Sequence, residues 1–303
     1  MKRDFKKDLR GSLKGFISFN EYLSAHTTFK IGGRPRVWVE PDSIEDLRSA
    51  LEIFGRIKLK TFLIGNGSNV LARDGRLNRA VIKLSTPPFK NLIFGKGHII
   101  CGCGHTLPGL IRKCIDRGLA GLEGLAGIPG SVGGAIMTNA GGIGMRSILD
   151  TVEWIKVMDY KQRKVSSIKK KRLRYNYRDS DLSKYVILEA KILLKKEAPD
   201  AIGERYDRFL RQKLATQDYR LPSAGCIFKN PKESGLTSGQ ILEKCRLKGL
   251  KIGDAEVSRR HANFIVNKRK AKFKDVMSLI KLEQRLVKRN FGIWLEPEIE
   301  IVK

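Results

Sequence analysis

The stretch GLEGLAGIPGSVGGAIMTNAGG, residues 121–142, decides the fold, because it holds eight glycines in twenty-two residues. Glycine has no Cβ, so such a stretch lets the backbone approach a ligand closely and adopt turns that other residues avoid. Five of the glycines recur at every third position, as in collagen, but a triple helix needs many more repeats and abundant proline. Five triplets with one proline, Pro129, exclude that helix and favour a ligand-binding loop.

A second glycine turn lies upstream, in the sequence FLIGNGSNVL. The apolar run 61–64 predicts a strand, and Gly65, Asn66, Gly67, Ser68 and Asn69 follow it directly. A strand that ends in such a loop can point several N–H groups at an anion. The loop lacks the third glycine of the dinucleotide fingerprint, and the chain contains no GxxxxGK[ST] motif.

The composition sets the size and class of the protein. With 303 residues, the chain can form two or three domains. Its 41% hydrophobic and 30% charged content is typical of a soluble globular protein, and no long uncharged apolar run could span a bilayer. The basic N-terminus lacks the apolar region of a secretory signal, and five cysteines form no disulfide-like framework. We therefore expect a cytoplasmic protein.

The formal net charge is +29, from 60 Lys and Arg against 31 Asp and Glu. Nucleic acid is the obvious partner for such a charge. The densest basic runs, at 161–174 and 267–274, lie in no helix-turn-helix, zinc-finger or RNP-type frame with interleaved aromatic residues. The charge therefore indicates a lysine-rich solvated surface that also favours anionic small molecules.

Hydrophobic periodicity predicts alternating helices and strands in the first half of the chain. The predicted elements before the glycine-rich stretch are a strand at 36–41, a helix at 44–54 capped by Ser43 with Asp46, strands at 61–65, 80–84 and 98–103, and a helix at 107–118. The strand, helix and strand from 36 to 64 form a βαβ unit.

The second half begins β-rich. The predicted elements are strands at 151–159, 163–168 and 185–194 around the loop YNYRDS, a break at 198–203 that serves as a domain linker, a charged helix at 204–217, helices at 238–247 and 275–290 that flank a strand at 261–266, and a terminal strand at 293–303. A distinct C-terminal domain then starts near residue 200.

One cluster of residues suggests a metal site, but its spacing does not support one. Cys101, Cys103 and His105 in CGCGH could ligate zinc, but a structural zinc site needs four ligands and no second pair follows. The two cysteines fit better as small apolar residues on one strand face. His26 and His98 have no partner pattern, and no Ser-His-Asp arrangement can be argued.

Four short segments place polar groups beside apolar strand sequence. They are YNYRDS around Arg178, PSAGCIFKNP around Cys226, RRHANFIVN around Asn263 and LEPEIE around Glu298. Burial of such groups costs several kcal/mol, about 2–7 for an unpaired amide or hydroxyl, unless partners or a ligand satisfy them. Each segment alone is also compatible with a salt bridge or a strand edge, but together with two glycine loops they indicate a lined pocket.

Seven motifs occur in order along the chain: TTFKIGG (27–33), LIGNGSNVL (63–71), the glycine-rich stretch (121–142), YRDS (177–180), SAGCIFKNP (223–231), GLKIGDAEVSRRHANFIVN (249–267) and LEPEIE (295–300). Together they resemble the UDP-N-acetylenolpyruvoylglucosamine reductase (MurB) family, and the resemblance covers nearly the whole chain. The glycine loops alone would indicate only the wider superfamily of flavoproteins with this FAD-binding domain.

The resemblance implies an α+β fold with a two-subdomain, PCMH-type FAD-binding part and a C-terminal α+β domain that binds a UDP-sugar. We expect the first FAD-binding subdomain over residues 1–85, joined by the C-terminal strand at about 296–303. The second subdomain should cover 86–198, and the substrate domain 199–295.

The resemblance also implies non-covalent FAD and NADPH as hydride donor. Backbone donors in glycine turns suit the pyrophosphate of FAD, and the stretch 121–142 holds no histidine or cysteine for covalent linkage. The residues implied in FAD binding are Thr28, Ile31, Gly65, Asn66, Gly67, Ser68, Asn69, Gly127, Ile128, Pro129, Gly130, Ser131, Gly133, Gly134 and Asn139.

The implied reaction reduces the enolpyruvyl ether of UDP-N-acetylglucosamine to UDP-N-acetylmuramate, a peptidoglycan precursor, by hydride transfer from NADPH to flavin and then to substrate. Arg178 matches the arginine that stabilises the enol formed at the substrate carboxylate, a role suited to a guanidinium. Glu298 matches the family's glutamate, with Glu296 as a fallback because LEPE offers two candidates.

The proton donor is where this chain departs from the family pattern. The residue after SAG is serine in that pattern and Cys226 here. A thiol has a reference pKa of about 8.5 and is a far stronger acid than an alkyl hydroxyl, so the role is preserved while the pH dependence is open to change. The residues implied in UDP-sugar binding are Tyr177, Lys229, Asn230, Asn263 and Arg260, the last at a position where the family often has lysine.

We therefore expect a cytoplasmic FAD enzyme of peptidoglycan precursor synthesis whose partners are a UDP-sugar and NADPH. We expect no metal, no membrane association and no specific nucleic acid, with a monomer as the working oligomeric state. Two alternatives stay open: another FAD-dependent oxidoreductase on the same scaffold, and a basic nucleic-acid-binding protein.

Overall fold

The computed structural model describes residues 5–145, 147–232 and 234–303. The α-helices in these ranges are α1 (Phe5–Ser12), α2 (Leu23–His26), α3 (Ile44–Arg56), α4 (Leu107–Ile115), α5 (Val132–Met137), α6 (Pro199–Thr216), α7 (Ser238–Lys244) and α8 (Phe273–Phe291). Short 3-10 turns are found at Pro87–Phe89, Glu123–Leu125, Ile148–Asp150 and Lys170–Arg172.

The strands before the glycine-rich stretch are β1 (Phe16–Ser18), β2 (Arg34–Glu40), β3 (Thr61–Ile64), β4 (Val70–Ala72), β5 (Arg76–Lys83), β6 (Leu92–Gly95), β7 (His98–Gly102) and β8 (Leu119–Ala120). Those after it are β9 (Val152–Asp159), β10 (Val165–Lys169), β11 (Tyr175–Asn176), β12 (Asp179–Ser180), β13 (Tyr185–Leu193), β14 (Lys195–Lys196), β15 (Ser223–Cys226), β16 (Lys251–Ile252), β17 (Ala255–Val257), β18 (Phe264–Asn267) and β19 (Glu300–Val302).

The chain forms two compact units that interleave along the sequence. Unit 1 contains the residues up to Asn20, Arg36–Asn66 and Asn78–Arg211, and unit 2 contains Glu21–Pro35, Gly67–Leu77 and Gln212–Lys303. The three-part domain division expected from the sequence stays a prediction.

The first sheet of unit 1 has the strand order β1-β2-β5-β3, with β3 and β5 parallel. Helix α3 buries the apolar face that its 3.6-residue period creates, and its residues Leu47 and Phe54 share a core cluster with Val39 and Ile82 of the sheet. Ser43 caps α3 as expected, because its Oγ accepts a hydrogen bond from the Asp46 N–H at 3.0 Å.

The second sheet of unit 1 is antiparallel, with the order β10-β9-β13-β7-β6. Its core cluster joins sheet residues such as Ile99 and Ile155 to Leu110 of α4 and Val132 of α5. Strand β10 is an edge of this sheet and lies within the basic run 161–174. Its last residue, Lys169, is exposed, and lysine on an exposed edge discourages pairing with another strand.

Unit 2 is built on an antiparallel sheet with the order β15-β18-β17-β16. Helix α8 packs its apolar face into a core that includes Phe228, Ile265 and Leu279. The terminal strand β19 pairs in parallel with β4, placing Ile301 opposite Leu71. The terminal strand expected over 293–303 is thus confined to three residues, and these pair with an earlier strand of the chain.

Two expectations about local structure need correction. The expected break at 198–203 is wrong: helix α6 begins at Pro199, since proline is well suited to the first helical turn. The segment YNYRDS is a hairpin of β11 and β12 rather than a loop. Strand β6 was not expected from the sequence, because its four residues give too short an alternation.

None of the described helices combines the length and apolarity that crossing a bilayer requires.

A buried carboxyl group in unit 2 has no polar partner. Glu283 on α8 is 1% exposed, and among the described residues neither of its carboxylate oxygens has a hydrogen-bond partner. Burial raises the pKa of this carboxyl well above its ordinary value, because the charged form loses its hydration. At a pH between the pKa of Glu283 in the unfolded chain and its higher pKa in the folded protein, the folded protein therefore keeps a proton that the unfolded chain has released.

We predict that this proton makes stability fall as pH rises. A carboxyl whose pKa is raised by folding leaves stability unchanged below the unfolded pKa, and above it each pH unit costs up to about 1.4 kcal/mol until the folded pKa is reached. Glu283→Gln should remove this loss, so its advantage over the parent in urea unfolding should grow from acidic to alkaline pH. The exposed Glu52 of α3 provides the control, Glu52→Gln. Parallel pH curves for the parent and Glu283→Gln would contradict the prediction.

Candidate active site

Unit 1 contains a cavity of about 200 Å³ between its two glycine loops. The lining residues are Leu63, Ile64, Gly65, Asn66, Lys83, Leu84, Ser85, Lys90, Cys103, Gly104, Thr106, Ser131, Gly133, Gly134, Met137 and Ile187. Five of them, Gly65, Asn66, Ser131, Gly133 and Gly134, were expected as ligand-binding residues from the sequence alone. The structure therefore brings the two predicted loops to one place.

The loops meet so closely that side chains are excluded. A Cβ added to Gly65 would overlap Ser131 Oγ and lie 3.2 Å from Ser131 Cβ. A Cβ added to Gly133 would lie 3.0 Å from Cys103 Cβ. Both positions are crowded by neighbouring protein atoms, which favours glycine there.

The start of α5 is held by hydrogen bonds within unit 1. Ser131 Oγ accepts from the Gly134 N–H at 3.1 Å, the usual N-cap interaction. The Val132 and Gly133 N–H groups donate to the carbonyls of His105 and Cys103, each at 2.9 Å. These three N–H groups are therefore engaged by the protein, and the α5 turn offers a ligand its open glycine surface.

Two lysines in the cavity lining, Lys83 and Lys90, were missed from the sequence. Lys83 is the last residue of β5, opposite Ile64 at the end of the parallel strand β3. The carboxyl ends of parallel strands meet at one sheet edge, so this pairing was the signal that could have placed Lys83 beside the loop at 65–66. The two ammonium groups make this part of the cavity suitable for an anionic ligand.

The glycine-rich stretch is anchored at its first residues. Glu123 Oε2 accepts from the Gly121 N–H at 2.7 Å, while Glu123 Oε1 accepts from Arg205 Nε and Nη2 at 3.1 and 3.0 Å. Arg205 of α6 also donates to Glu197. Hydrogen bonding with Arg205 lowers the pKa of Glu197. Charge-assisted contacts of this kind hold the loop against α6.

The middle of the stretch forms the turn that leads into α5. Gly127 and Gly130 have φ angles of +71° and +143°, which disfavour any residue with a Cβ. The Gly130 carbonyl accepts from the Leu107 N–H at 2.9 Å. Ile128 packs against the core of unit 1, and Pro129 is exposed.

Arg178 occupies the turn of the β11–β12 hairpin together with Tyr177. Its φ is +54°, a left-handed conformation that costs a residue with a Cβ on the order of 1 kcal/mol. Such strain is typical of functional sites. The Arg178 guanidinium lies 5.0 Å from the centre of the Tyr177 ring, and the Tyr177 side chain is exposed.

In unit 2, Cys226 ends strand β15 immediately after a bulge. The register with β18 shifts between Ser223 and Cys226, and Gly225 has a φ of +79°. Bulges turn the following side chain away from the regular alternation, so the SAG sequence sets the direction of the half-buried Cys226. Tyr219 is its electrostatic neighbour: burial, and then the negative charge of Cys226 in its thiolate form, raise the pKa of Tyr219 to about 12. Sequence reasoning missed Tyr219.

Hydrogen bonds join three of the four polar segments in unit 2. The Asn263 side chain pairs with Phe228, accepting from its N–H and donating to its carbonyl at 2.9 Å each. The Glu298 N–H donates to the Ile227 carbonyl at 2.7 Å. Arg178 of YNYRDS belongs to unit 1.

The two candidate glutamates differ in their surroundings. The Lys229 ammonium lies 3.0 Å from Glu296 Oε1, and the Lys229 N–H donates to the Glu296 carbonyl. The Glu296 side chain is 71% exposed, whereas Glu298 is half-buried. Glu296 therefore forms a surface ion pair, a weak interaction, and Glu298 remains the preferred catalytic candidate.

Residues predicted to bind FAD also lie in unit 2. Thr28 Oγ1 donates to the Ser223 carbonyl at 2.7 Å, and the Thr28 N–H donates to the Gly67 carbonyl. Asn69 Nδ2 donates to the Glu298 carbonyl at 3.2 Å. Gly67 and Asn69 thus support the segments that carry Cys226 and Glu298, and Ser68 lies between them in sequence. The Ile31 side chain is buried in the core of unit 2.

The remaining predicted substrate residues make structural contacts. Asn230 Oδ1 accepts from the Ser238 N–H at 3.0 Å at the start of α7. Arg260 donates to the Leu214 and Ala215 carbonyls in the last turn of α6, a favourable place for a cation. Their predicted contacts with a UDP-sugar stay predictions.

Comparison with known proteins agrees with this arrangement. The family model described as UDP-N-acetylenolpyruvoylglucosamine reductase, C-terminal domain, matches residues 217–302, and an FAD binding domain model matches residues 35–165. The reductase of Pseudothermotoga lettingae is 38% identical over 287 residues, covering 94% of this chain and 97% of the relative. That of Clostridium novyi is 36% identical over 99% of this chain and 96% of its own length.

The chain belongs to the UDP-N-acetylenolpyruvoylglucosamine reductase family. A reductase of this family (MurB) from Thermus caldophilus has a crystal structure that aligns with a TM-score of 0.81 and 31% identity, covering 96% of this chain and all of the other. A variant of Phl p 4, a glucose oxidase, aligns with a TM-score of 0.51 and 15% identity over 65% of this chain and 45% of its own, which indicates a shared fold alone.

Membership in the reductase family makes this chain an FAD-dependent oxidoreductase and confirms the predicted family, fold class, enzyme class and cofactor. NADPH fits as the hydride donor of such a reductase. The cavity suits FAD, since Lys83 and Lys90 in its lining complement a diphosphate. The individual roles of the binding residues stay predictions.

We predict that Gly65→Ala weakens both the fold and FAD binding. The new methyl group must displace Ser131 Oγ from the Gly134 N–H, and loss of such a cap costs about 1 kcal/mol. Thermal unfolding of the apoprotein and a fluorescence titration with FAD measure the two effects. Gly11→Ala is the matched control, because a Cβ added there has no atom within 4 Å.

A double-mutant cycle identifies the cause of this effect. In a Ser131→Ala background the cap is already lost, so Gly65→Ala should cost much less. An equal cost in both backgrounds would show that Gly65 acts through something other than its contact with Ser131.

Proposed function

We propose that this protein reduces UDP-N-acetyl-3-O-(1-carboxyvinyl)-glucosamine to UDP-N-acetylmuramate with NADPH, as a cytoplasmic step in peptidoglycan precursor synthesis. The observation that carries the proposal is the hydrogen-bonded cluster of unit 2, in which SAGCIFKNP, the segment around Asn263 and LEPEIE converge. All three segments lie within the stretch 217–302 that matches the reductase C-terminal domain. This cluster favours the reductase over another flavin oxidoreductase on the same scaffold.

FAD held by the glycine loops would supply the two-electron chemistry, accepting hydride from NADPH and delivering it to the enolpyruvyl carbon. The protein must then stabilise the negative charge that grows on the substrate carboxylate and donate one proton. Those two tasks fall to side chains of this chain.

We assign the first task to Arg178. A guanidinium offers two parallel N–H donors to a carboxylate, so it stabilises a developing enol more specifically than a lysine could. The strained φ of +54° is supporting information, because such conformations are kept where the side chain direction matters. Glu298 is assigned to the same step as an acidic partner, and Lys229 and Tyr177 to contacts with the substrate.

We assign the second task, donation of the proton, to Cys226. The bulge at Gly225 directs the thiol, and its half-buried position keeps it accessible to a substrate. A thiol that donates a proton must be protonated at the working pH, and the reference pKa of about 8.5 satisfies this near neutrality. The thiolate formed is then reprotonated by water before the next cycle.

The charge of the chain suits these reactants. NADPH and the UDP-sugar are both anionic, and a net charge of +29 attracts anions over a distance set by the ionic strength. We therefore attribute the charge to small-molecule partners rather than to a specific nucleic acid.

The decisive experiment is turnover by the purified protein. We expect a yellow protein whose flavin is released by acid precipitation, and NADPH oxidation beyond one equivalent per flavin only when the enolpyruvyl substrate is present. UDP-N-acetylglucosamine, which lacks the reducible double bond, is the matched control substrate. A flavin-loaded protein that leaves NADPH unoxidised would support the alternative oxidoreductase. Absence of flavin after reconstitution, together with tight DNA binding, would support the nucleic-acid alternative.

We predict that Cys226 separates the two half-reactions. In Cys226→Ala, NADPH should still bleach the flavin, while reoxidation by the enolpyruvyl substrate should slow by about 10²-fold or more, the usual effect of losing a general acid. Cys226→Ser should keep substantial activity, because a hydroxyl remains in place. Stopped-flow absorbance measures both steps.

The matched control for this prediction is Cys245→Ala, since Cys245 is the other half-buried cysteine of unit 2. Its half-reactions should equal those of the parent. Reoxidation of Cys226→Ala at the parent rate would remove the thiol from the mechanism.

A further inference from the structure

The hairpin that carries Arg178 is attached to the end of α5 by two side-chain hydrogen bonds. Ser180 Oγ donates to the Met137 carbonyl at 2.7 Å. Asn139 Nδ2 donates to the Asn176 carbonyl at 2.8 Å. The two bonds act on opposite strands of the hairpin, β12 and β11, so together they fix both its position and its tilt.

The anchoring helix is a wall of the cofactor cavity. Ser131, Gly133, Gly134 and Met137 of the α5 region all line the cavity. Met137 therefore lines the cavity, and its carbonyl accepts the hydrogen bond from Ser180 Oγ. One hydrogen bond, from Ser180 Oγ to the Met137 carbonyl, thus connects the cavity wall directly to the hairpin.

The Asn139 side chain is buried, and both ends of its amide make hydrogen bonds. Its side chain is 2% exposed, and its Oδ1 accepts from the Leu149 N–H at 3.4 Å while its Nδ2 holds Asn176. Its φ is +46°, a left-handed conformation that asparagine tolerates better than most residues. The amide is thus engaged on both sides within unit 1.

A strained turn needs such support. A residue with a Cβ stays in the left-handed region only where surrounding contacts determine its conformation. The Arg178 turn is held by the two bonds above, by Tyr175 Oη donating to Asp150 Oδ1 at 3.2 Å, and by the Asp181 N–H donating to the Arg174 carbonyl. Of these contacts, the bonds of Ser180 and Asn139 are the ones that connect the hairpin to the cavity wall.

We propose that Ser180 and Asn139 are positioning residues that hold the Arg178 guanidinium in register with the cofactor cavity. This inference rests on the proposed role of Arg178 in stabilising the enol. Small displacements of a catalytic group can cost about 10²-fold in rate, because charge stabilisation depends on a fixed geometry. Loss of the Ser180 bond should therefore slow substrate reduction while leaving FAD binding and reduction by NADPH unchanged.

The main test compares Ser180→Ala with Ser180→Thr, which keeps the hydroxyl. In Ser180→Ala, we expect flavin reoxidation by the enolpyruvyl substrate to slow by about tenfold or more, with the FAD dissociation constant and the NADPH half-reaction at parent values. Ser180→Thr should restore the rate. Ser167→Ala is the matched control, since Ser167 is an exposed serine on β10 of the same unit.

Asn139→Gly provides a second, independent test. Glycine accepts the left-handed φ, so this variant removes the amide without adding backbone strain. The family resemblance also links Asn139 to FAD, so the FAD dissociation constant is measured first and the half-reactions are followed at saturating FAD. We expect reoxidation by the enolpyruvyl substrate to slow by about tenfold or more. Reoxidation at the parent rate would overturn the positioning role for Asn139.

A measurement without turnover separates this proposal from the proposed function. Hydrogen exchange of the Asp181 amide, which closes the hairpin, should be about tenfold faster in Ser180→Ala and Asn139→Gly than in the parent. Faster exchange with normal reoxidation would overturn the positioning role. Unchanged exchange would overturn the claim that these bonds hold the hairpin. A parent protein that cannot reduce the enolpyruvyl substrate would refute the proposed function, and the exchange result would still stand.

Discussion

The close approach of Gly65 to Ser131 is the contact on which unit 1 depends. One loop ends a strand of the first sheet, the other begins α5 beside the second sheet, and a Cβ on Gly65 would displace Ser131 Oγ. The two sheets are thereby held at the distance that leaves a cavity with lysines in its lining. The direction of α5, fixed at its start by the Ser131 cap, in turn places Met137 and Asn139 where they can reach the Arg178 hairpin.

In unit 2, side-chain amides rather than glycines bring the segments of the proposed site together. Asn263 satisfies both backbone groups of Phe228, and Asn69 holds the carbonyl of Glu298, so polar side chains organise the segments that carry the proposed chemistry. Buried polar groups are costly when unpaired, and here each pairing also fixes a chain direction. A residue that the family resemblance links to a ligand can therefore serve first as a support for its neighbours.

Local patterns made much of this predictable from the sequence. Glycine density located both loops, and periodicity located α3, β3, β9 and β13, because these signals depend on residues close in sequence. Lys83, Lys90 and Tyr219 were missed because their placement depends on pairings between distant segments. The break expected before α6 was wrong for another reason: Pro199 and Gly203 are typical of loops, yet proline also begins helices, and only packing decides between them.

The pairing of β4 with β19 has a consequence for biosynthesis. Unit 1 is complete once residue 211 has been made, whereas unit 2 joins residues 21–35 and 67–77 to a partner that begins at residue 212. Apolar residues of those early segments, such as Phe29 and Leu71, have no core to enter until translation has advanced by well over a hundred residues. Contacts of such sequence separation also form slowly. The growing chain is therefore most exposed to aggregation in this interval, and a chaperone that shields short apolar segments would act there.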